Sequence, residues 1–325
     1  MSRGIRQWIH LGQRPHPLVA LIFTGMQRNL VFLINPISGK GAKLGLTSQI
    51  EVCMNQHGLP FEIMHTNKEG DYRYLPAYIA EKGITDIVIC GGDGSVNQIA
   101  SHLLDVPVRV GIVPLGSGNG LALAAGISRK ISLALEIIVQ GKADYIDAYW
   151  LNDRFSCMLS GIGFDAQVAH DFAKQKTRGL STYVKQTIRQ FFVARPYRFH
   201  IDANGHQWDT EAYFISIANS NQFGNQVTIA PQASLKDGKL DIVVVGKTNK
   251  LNFVYALLKQ IRFGKLSDVV AAKTKTIQYF HTDAIRISNA DLAPLHIDGE
   301  AVHTEAHFYA RIIPRAIQLI QPVGA

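Results

Sequence analysis

The chain is short of cysteine and has no long apolar run, and each shortage excludes a class of protein. Its 325 residues include three cysteines, Cys53, Cys90 and Cys157, with no paired spacing and no C-x-x-C. That rules out a disulfide-stapled scaffold or a cysteine-ligated zinc module, and fits reduced, buried thiols in a cytoplasmic protein. The twelve histidines are scattered without an H-E-x-x-H spacing, which removes the zincin type of hydrolase. No segment approaches the roughly 20 apolar residues of a membrane helix. The apolar run Leu18–Phe23 is short and follows Pro15-His16-Pro17, so residues 1–25 are expected to be a disordered extension outside the fold. What remains is 47% hydrophobic and 18% charged, ordinary for a globular chain of about two domains.

Glycine, by contrast, falls in telling places. Cys90-Gly91-Gly92-Asp93-Gly94-Ser95-Val96-Asn97-Gln98 follows the apolar run Asp86–Ile89 and opens onto Val96, Ile99, Ala100 and Leu103 at helical spacing. A buried strand therefore ends in a tight turn with a carboxylate at the start of a helix. Glycine lets main-chain N–H groups approach an anion, and the helix N-terminus adds a favourable dipole. Asp93 alone would repel a phosphate, so a divalent metal or a hydroxyl proton is expected between them. Asn35-Pro36-Ile37-Ser38-Gly39-Lys40-Gly41 follows Leu30–Ile34, and Pro114-Leu115-Gly116-Ser117-Gly118-Asn119-Gly120 follows Arg109–Val113. The first of these suits a phosphate cradle without having the P-loop spacing. One glycine loop is turn chemistry, but three at successive strand ends of an open parallel sheet converge on one crevice. A nucleotide-using phosphotransferase is predicted.

Asn35-Pro36-x-Ser38-Gly39, Gly91-Gly92-Asp93-Gly94-Ser95-x-Asn97 and Pro114-x-Gly116-Ser117-Gly118-Asn119 resemble the diacylglycerol kinase and sphingosine kinase family, including its bacterial lipid-kinase branch. Gly161-Ile162-Gly163-Phe164-Asp165-Ala166 is similar to the strand leading into that family's lipid-binding domain, and Leu295-His296-Ile297-Asp298-Gly299-Glu300 to its D-G-E element. The matches keep family order from about Asn29 to Pro322. The resemblance implies ATP and Mg2+ as cofactors. ATP would be held by Asn35, Pro36, Ser38, Gly39, Lys40, Gly41, Thr66, Gly91, Gly92, Gly94, Ser95, Asn97, Pro114, Gly116, Ser117, Gly118 and Asn119, with magnesium on Asp93. Asp298 would take the proton from a lipid hydroxyl, and Glu300 would orient it or assist the metal. Sphingosine-kinase-like relatives give the base role to the aspartate matching Asp93, so both assignments stand. Leu235–Asp241 resembles a segment that holds a structural magnesium in some members, implying Asp237 and Leu240 as ligands. One place departs from the pattern. Bacterial members commonly carry an aspartate after the third-loop asparagine, where this chain has Gly120. The loop is closer to the sphingosine-kinase version, and the acceptor stays open between diacylglycerol and a sphingoid base.

Apolar runs and helical patterns alternate up to Ala143, at Leu30–Ile34, Ala42–Gln56, Phe61–His65, Tyr72–Lys82, Asp86–Cys90, Val96–Leu104 and Val108–Val113. That is βαβ repetition, an α/β domain with a parallel sheet and helices on both faces, over residues 26–143. Strands dominate residues 144–310. Hairpin signals at Asn152-Asp153 and Asn204-Gly205 join Tyr145–Leu151 to Phe155–Ser160 and Tyr197–Ala203 to Glu211–Ala218. With Leu240–Val245, Thr276–Phe280, Ala284–Ser288 and Leu295–Ile297, this reads as an antiparallel β-sandwich lipid-binding domain, with one clear helix at Leu251–Arg262. The tail, residues 311–325, is expected to return to the first domain, which puts the chemistry in the cleft between the two.

Net charge is +8. Lys174, Lys176, Arg178, Lys185, Arg189, Arg195 and Arg198 lie among Phe191, Phe192, Tyr197 and Phe199. Two readings stand for that segment, a helix resting on an anionic membrane surface and a solvated helix with Val184, Ile188 and Phe191 turned to the core. No nucleic-acid recognition motif accompanies the charge. The expected partners are ATP and a lipid at a membrane surface, with a homodimer also open and no nucleic acid. The expected location is the cytoplasm with peripheral membrane contact. Three functions are weighed: a lipid kinase, a kinase of a soluble metabolite with an NAD-kinase-like loop, and a lipid-binding regulator without catalysis.

Overall fold

Leu30-Val31-Phe32-Leu33-Ile34 is apolar on both faces, which a strand tolerates only in a sheet covered on both sides. It forms β1 (Leu30–Ile34), buried throughout, in a computed structural model that describes residues 27–38, 45–167, 191, 193–222, 230–247, 250 and 277–324. β2 (Phe61–His65) and β3 (Asp86–Gly91) flank β1 in parallel, and β4 (Arg109–Pro114) lies parallel beyond β3. Four connections carry α1 (Leu46–Gln56), α2 (Leu75–Lys82), α3 (Asp93–Ala100), and α4 (Gly120–Ala124) followed by α5 (Ile131–Gln140). Leu75, Ile79, Val96 and Ile99 pack on one face with Val31, Leu33, Ile87 and Ile89. Leu46, Ile50, Met54 and Leu135 cover the other face over Leu30, Phe32 and Val88. Burying each such side chain stabilises the fold by about 1.5–3 kcal/mol.

The second half is antiparallel. Its strands are β5 (Lys142–Leu151), β6 (Arg154–Ser156), β7 (Leu159–Gly163), β8 (Tyr197–Ala203), β9 (His206–Ala218), β10 (Leu240–Gly246), β11 (Ile277–Thr282), β12 (Ala284–Asn289), β13 (Leu295–Ile297), β14 (Glu300–Val302) and β15 (His307–Gln321). They enclose a sandwich-like core of Tyr149, Ile201, Ile215, Ile242, Ile285, Leu295 and Phe308. The main path runs β14-β13-β7-β9-β8-β12-β15-β4-β3-β1-β2, so one continuous sheet passes through both halves. The fold class is therefore the expected one, an α/β domain with a parallel sheet plus an antiparallel sandwich.

β15 is the crossing. Its first part pairs with β12 and with Ala148–Leu151 of β5, and its last part pairs with β5 and, in parallel, with Arg109 and Val110 of β4. Register shifts between Ile313 and Ile317, where Arg315 takes a positive φ of 56°. Asp147 holds that irregularity in place, accepting the Arg315 N–H and the Gly238 N–H, each at 2.7 Å.

Local expectations fare unevenly. The Asn152-Asp153 and Asn204-Gly205 hairpins form, the latter with both residues at positive φ. Phe155–Ser160 is two strands, not one, because Ser156 ends β6 and turns its hydroxyl toward Asp298. α5 was not anticipated: Ile131, Ile137, Ile138 and Val139 give it a β-branched composition, yet Ala134, Leu135 and Ile138 bury a helical face. The Leu251–Arg262 helix, the extension at 1–25 and the basic segment up to Arg189 lie outside the described residues. Arg198, within them, is already matched by a two-pronged bond to Asp291. No helix among the described residues is long and apolar enough to cross a membrane.

At the lower edge of the parallel sheet, fully buried Asp86 pairs with Arg28 at 2.8 Å and Arg109 at 2.7 Å. Replacing Asp86 by alanine buries two guanidinium groups without that counter-charge. The expected loss is about 3–5 kcal/mol of unfolding free energy, read from urea denaturation.

Candidate active site

The three glycine loops leave the C-terminal ends of adjacent parallel strands, so they meet at one edge of the sheet. Asn35, just past β1, donates from Nδ2 to Ser95 Oγ at 2.7 Å, and its Oδ1 accepts the Ile37 N–H at 2.9 Å. Pro36 and Ser38 form the turn that follows. Gly39, Lys40 and Gly41 lie outside the described residues. Thr66, beyond β2, is tied to the same edge by its N–H on the Ile34 carbonyl at 3.0 Å. Gly91 pairs with Pro114 across β3 and β4. Gly92 caps α3, and Gly116 faces it so closely that a Cβ on Gly116 would lie 2.6 Å from Gly92 Cα. Glycine is required there by main chain meeting main chain. Asn119, at positive φ, closes the third loop on itself through Gly116 N–H at 2.8 Å and the Gly116 carbonyl at 2.7 Å. Ser117 is exposed at its tip, and Arg129 holds the Gly118 carbonyl at 2.7 Å.

Asp93 opens α3 and turns its carboxylate toward the start of α4, accepting Gly120 N–H at 3.1 Å and Leu121 N–H at 3.3 Å. Its neighbour Gly118 packs closely on it, since a Cβ there would sit 3.0 Å from Asp93 Oδ2. Burial raises the Asp93 carboxyl above its ordinary range, against the pull of those N–H groups. Asp93 therefore binds the second loop to the third. A carboxylate has about four lone-pair positions, and those not engaged by Gly120 and Leu121 are the ones a magnesium ion or its water can share.

Asp298 comes from the other half. Ile297 and Glu300 pair across β13 and β14, and Asp298 and Gly299 make the two-residue turn between them, with φ of 51° and 83°. Two left-handed residues are the signature of a type I′ hairpin turn. The plain turn and the D-G-E element expected from the sequence are thus the same object. Around the Asp298 carboxyl, Ser156 Oγ lies 2.9 Å and 3.0 Å from the two oxygens and the Leu159 N–H donates to Oδ1 at 2.9 Å. Asn97 Nδ2 donates to Oδ2, while Asn97 Oδ1 accepts the Cys157 N–H at 3.2 Å. The turn keeps some exposed surface, but the carboxyl itself is enclosed. Enclosure pushes its pKa up to about 8, with Asp93 and Glu300 adding like-charge repulsion against the stabilising Leu159 N–H and Ser156 hydroxyl. Glu300 reaches α3: a Cβ on Gly94 would lie 2.6 Å from its Oε1.

Most residues expected from the sequence therefore share one place, with Asn97 holding Asp298 rather than standing only beside a nucleotide. Ser156 was missed. Its one sequence signal is a small hydroxyl inside an apolar run, which singles out nothing. The second expected metal site is elsewhere, at the start of β10. Asp237, Asp241 and His281 there bring ligand atoms within 4.8 Å of one another. Asp241 is fully buried, its Oδ1 bonded by the Tyr279 hydroxyl and 3.2 Å from His281 Nδ1, its Oδ2 without a hydrogen-bond partner. An orphaned buried carboxylate oxygen beside a second carboxylate fits a cation. Leu240 places its side chain in the sandwich core and has only main chain to offer.

Residues 29–151 match the diacylglycerol kinase catalytic domain, and residues 159–321 match the YegS C-terminal NAD kinase beta sandwich-like domain. The chain belongs to the diacylglycerol kinase family of lipid kinases. A relative from Enterobacter sp. (strain 638), named "Probable lipid kinase YegS-like", is 25% identical over 88% of this chain and 94% of its own. A protein of Bacillus subtilis named diacylglycerol kinase is 25% identical over 82% and 88%. The crystal structure of a diacylglycerol kinase from Bacillus anthracis superimposes with a TM-score of 0.72 at 21% identity, over 90% of this chain and 97% of that one, a likeness of fold. As a kinase-family member the chain is a phosphotransferase, and the family implies ATP as donor.

In this kinase the raised Asp298 has a thermodynamic consequence. Free aspartate ionises near pH 3.9, so between about pH 4 and about pH 8 the folded state keeps a proton that the unfolded chain releases. The stability this group contributes is complete below about pH 4 and is lost as pH rises through about 8. Urea denaturation from pH 5 to 9 should show wild type losing ground to Asp298→Asn up to about pH 8 and levelling off above it. A pH-independent difference would contradict the shift.

Proposed function

We propose that the protein is an ATP- and magnesium-dependent lipid kinase. Its acceptor is the hydroxyl of a diacylglycerol- or sphingoid-base-like lipid at a membrane surface, and it works as a cytoplasmic protein in peripheral contact with that surface. The observation that supports this best is Asp298, an enclosed carboxyl brought from the β-rich half against the glycine loops of the nucleotide-binding half. Phosphoryl transfer passes through a loose transition state, so the residues mainly position groups and neutralise charge.

ATP, when bound, supplies the transferred phosphoryl group. Main-chain N–H groups of Gly92, Gly94 and Ser95, at the head of α3, would hold its phosphates with Ser38, Gly39, Lys40 and Gly41 of the first loop. Magnesium would be held through Asp93. A structural ion in the β-rich half would take Asp237, Asp241 and the main chain of Leu240. Asp298 would take the proton from the lipid hydroxyl onto its own carboxylate as that oxygen bonds to the γ-phosphorus and the bond to the leaving ADP oxygen breaks. A pKa near 8 matches a base that must bind and release a proton near neutral pH. Ser156 and Asn97 keep the carboxylate aimed. Glu300, over the first turn of α3, orients the turn and adds negative charge beside the metal position. With Asp93 committed to the α4 N-terminus, Asp298 is favoured as the base.

The test is turnover with γ-labelled ATP, magnesium and mixed micelles of diacylglycerol, monoacylglycerol, sphingosine, undecaprenol and phosphatidylglycerol. Label is expected in one lipid class, reduced about 100- to 10,000-fold in Asp298→Asn, the range for a general base, and lost with chelator. Label confined to a soluble acceptor, or turnover undiminished in Asp298→Asn, would overturn the reading. Gly116→Ala, which drives main chain against Gly92, is expected to weaken ATP binding at least about tenfold by calorimetry, a loss of roughly 1.4 kcal/mol.

A further inference from the structure

The turn that carries Asp298 rests on a buried pair with no part in the chemistry above. His296, fully buried in β13, stands opposite Gly161 of β7. Its Nδ1 accepts the Gly299 N–H at 3.2 Å, and its Nε2 lies 3.3 Å from Asp165 Oδ2. An N–H donates only to a ring nitrogen that has a lone pair, so Nδ1 is bare and the ring proton sits on Nε2, facing Asp165. The other oxygen of Asp165 accepts the Ala166 N–H at 2.8 Å, which fixes the carboxylate in turn. Gly161 makes the space: a Cβ there would lie 1.9 Å from Asp165 Oδ2 and 2.4 Å from His296 Nε2.

This arrangement converges on one main-chain group. Gly299 is the second left-handed residue of the turn, directly after Asp298. It is exposed, and a Cβ on it would meet nothing within 4 Å. Packing over Gly299 therefore does not restrain the turn; its main chain is held by the Asp298 N–H on the Leu159 carbonyl at 2.9 Å and by the Gly299 N–H on His296. Losing the bond at Gly299 would free ψ of Asp298 and φ of Gly299, loosening the turn between the Asp298 carboxyl and Glu300.

We propose that His296, fixed as its Nε2–H tautomer by Asp165, is a positioning residue for phosphoryl transfer: by accepting the Gly299 N–H it holds the turn that aims Asp298. This rests on Asp298 being the base. The two ring nitrogens can be separated by substitution in the full chain. Asparagine places its side-chain oxygen close to where Nδ1 was and keeps an acceptor for Gly299. Glutamine carries its amide one bond further, toward Asp165, and leaves Gly299 without one.

In the labelled-ATP assay, His296→Gln should lower kcat about 100-fold, the scale of a 1 Å misplacement, with KM for ATP and lipid within about twofold. His296→Asn should restore kcat to within about threefold of wild type. Nitrogen-15 imidazole spectra of the full chain, with the His296 signals identified by their loss in His296→Asn, should show the Nε2–H tautomer. In Asp165→Asn, whose amide can donate to Nε2, the ring proton should move to Nδ1 and kcat should fall as in His296→Gln. A wild-type Nδ1–H tautomer, full kcat in His296→Gln, or equal losses in the two His296 variants would each overturn the proposal. If Asp298→Asn abolishes turnover and His296→Gln does not, the positioning role alone fails. If Asp298→Asn turns over normally, the assignment of the base fails, and the tautomer still decides whether His296 holds the turn.

Discussion

Asn97 engages the β-rich half with both ends of its amide, donating to the Asp298 carboxylate and accepting from the Cys157 N–H. An amide is planar and nearly rigid, so these two bonds fix the first turns of α3 against the β13–β14 hairpin in both distance and angle. The glycine turn that begins α3, the Asp93 carboxylate that ties it to α4, and Glu300 over Gly94 all inherit their places from that junction. A serine in place of Asn97 would reach neither partner, and an aspartate would set like charge against Asp298. Few side chains can do both jobs, and this constraint lies behind the rest of the site.

The site also concentrates what folding ordinarily avoids. Asp93 and Asp298 are buried carboxyls whose pKa values rise because enclosure disfavours their charge, and Asp298 further feels Asp93 and Glu300. Hydrogen-bond donors surround both. A bound cation and a protonated hydroxyl would relieve that repulsion, which is the electrostatic form of a site built for a phosphate and its counter-ion. Asp86, at the opposite edge of the same sheet, shows the contrast: fully buried, it is matched by two arginines.

What the sequence revealed was local. A glycine loop after an apolar strand is written in consecutive residues, so the loops at Asn35, Gly91 and Pro114 could be read directly, as could the Asp298-Gly299 turn. Their meeting at one sheet edge followed from parallel topology. Ser156 and the Asn97 bridge could not be read, because each depends on a partner more than a hundred residues away. α5 was hidden by β-branched residues whose burial against β4 outweighs their weak helical preference. The break after Ser156 was hidden because only the Asp298 contact makes one apolar run two strands.

β15 carries a consequence for how the molecule comes into being. In the ribosome's order every other described element is made before it, yet in space it lies between β12 and β4, at the middle of the continuous sheet. Until it arrives, β4 and β12 each present an unpaired edge, and the two halves have no shared strand to align them. Pairing across such sequence distances is slow, and open edges invite association with other chains. The nascent protein thus passes through an interval in which its interior seam is a sticky surface, and the last strand is what closes it.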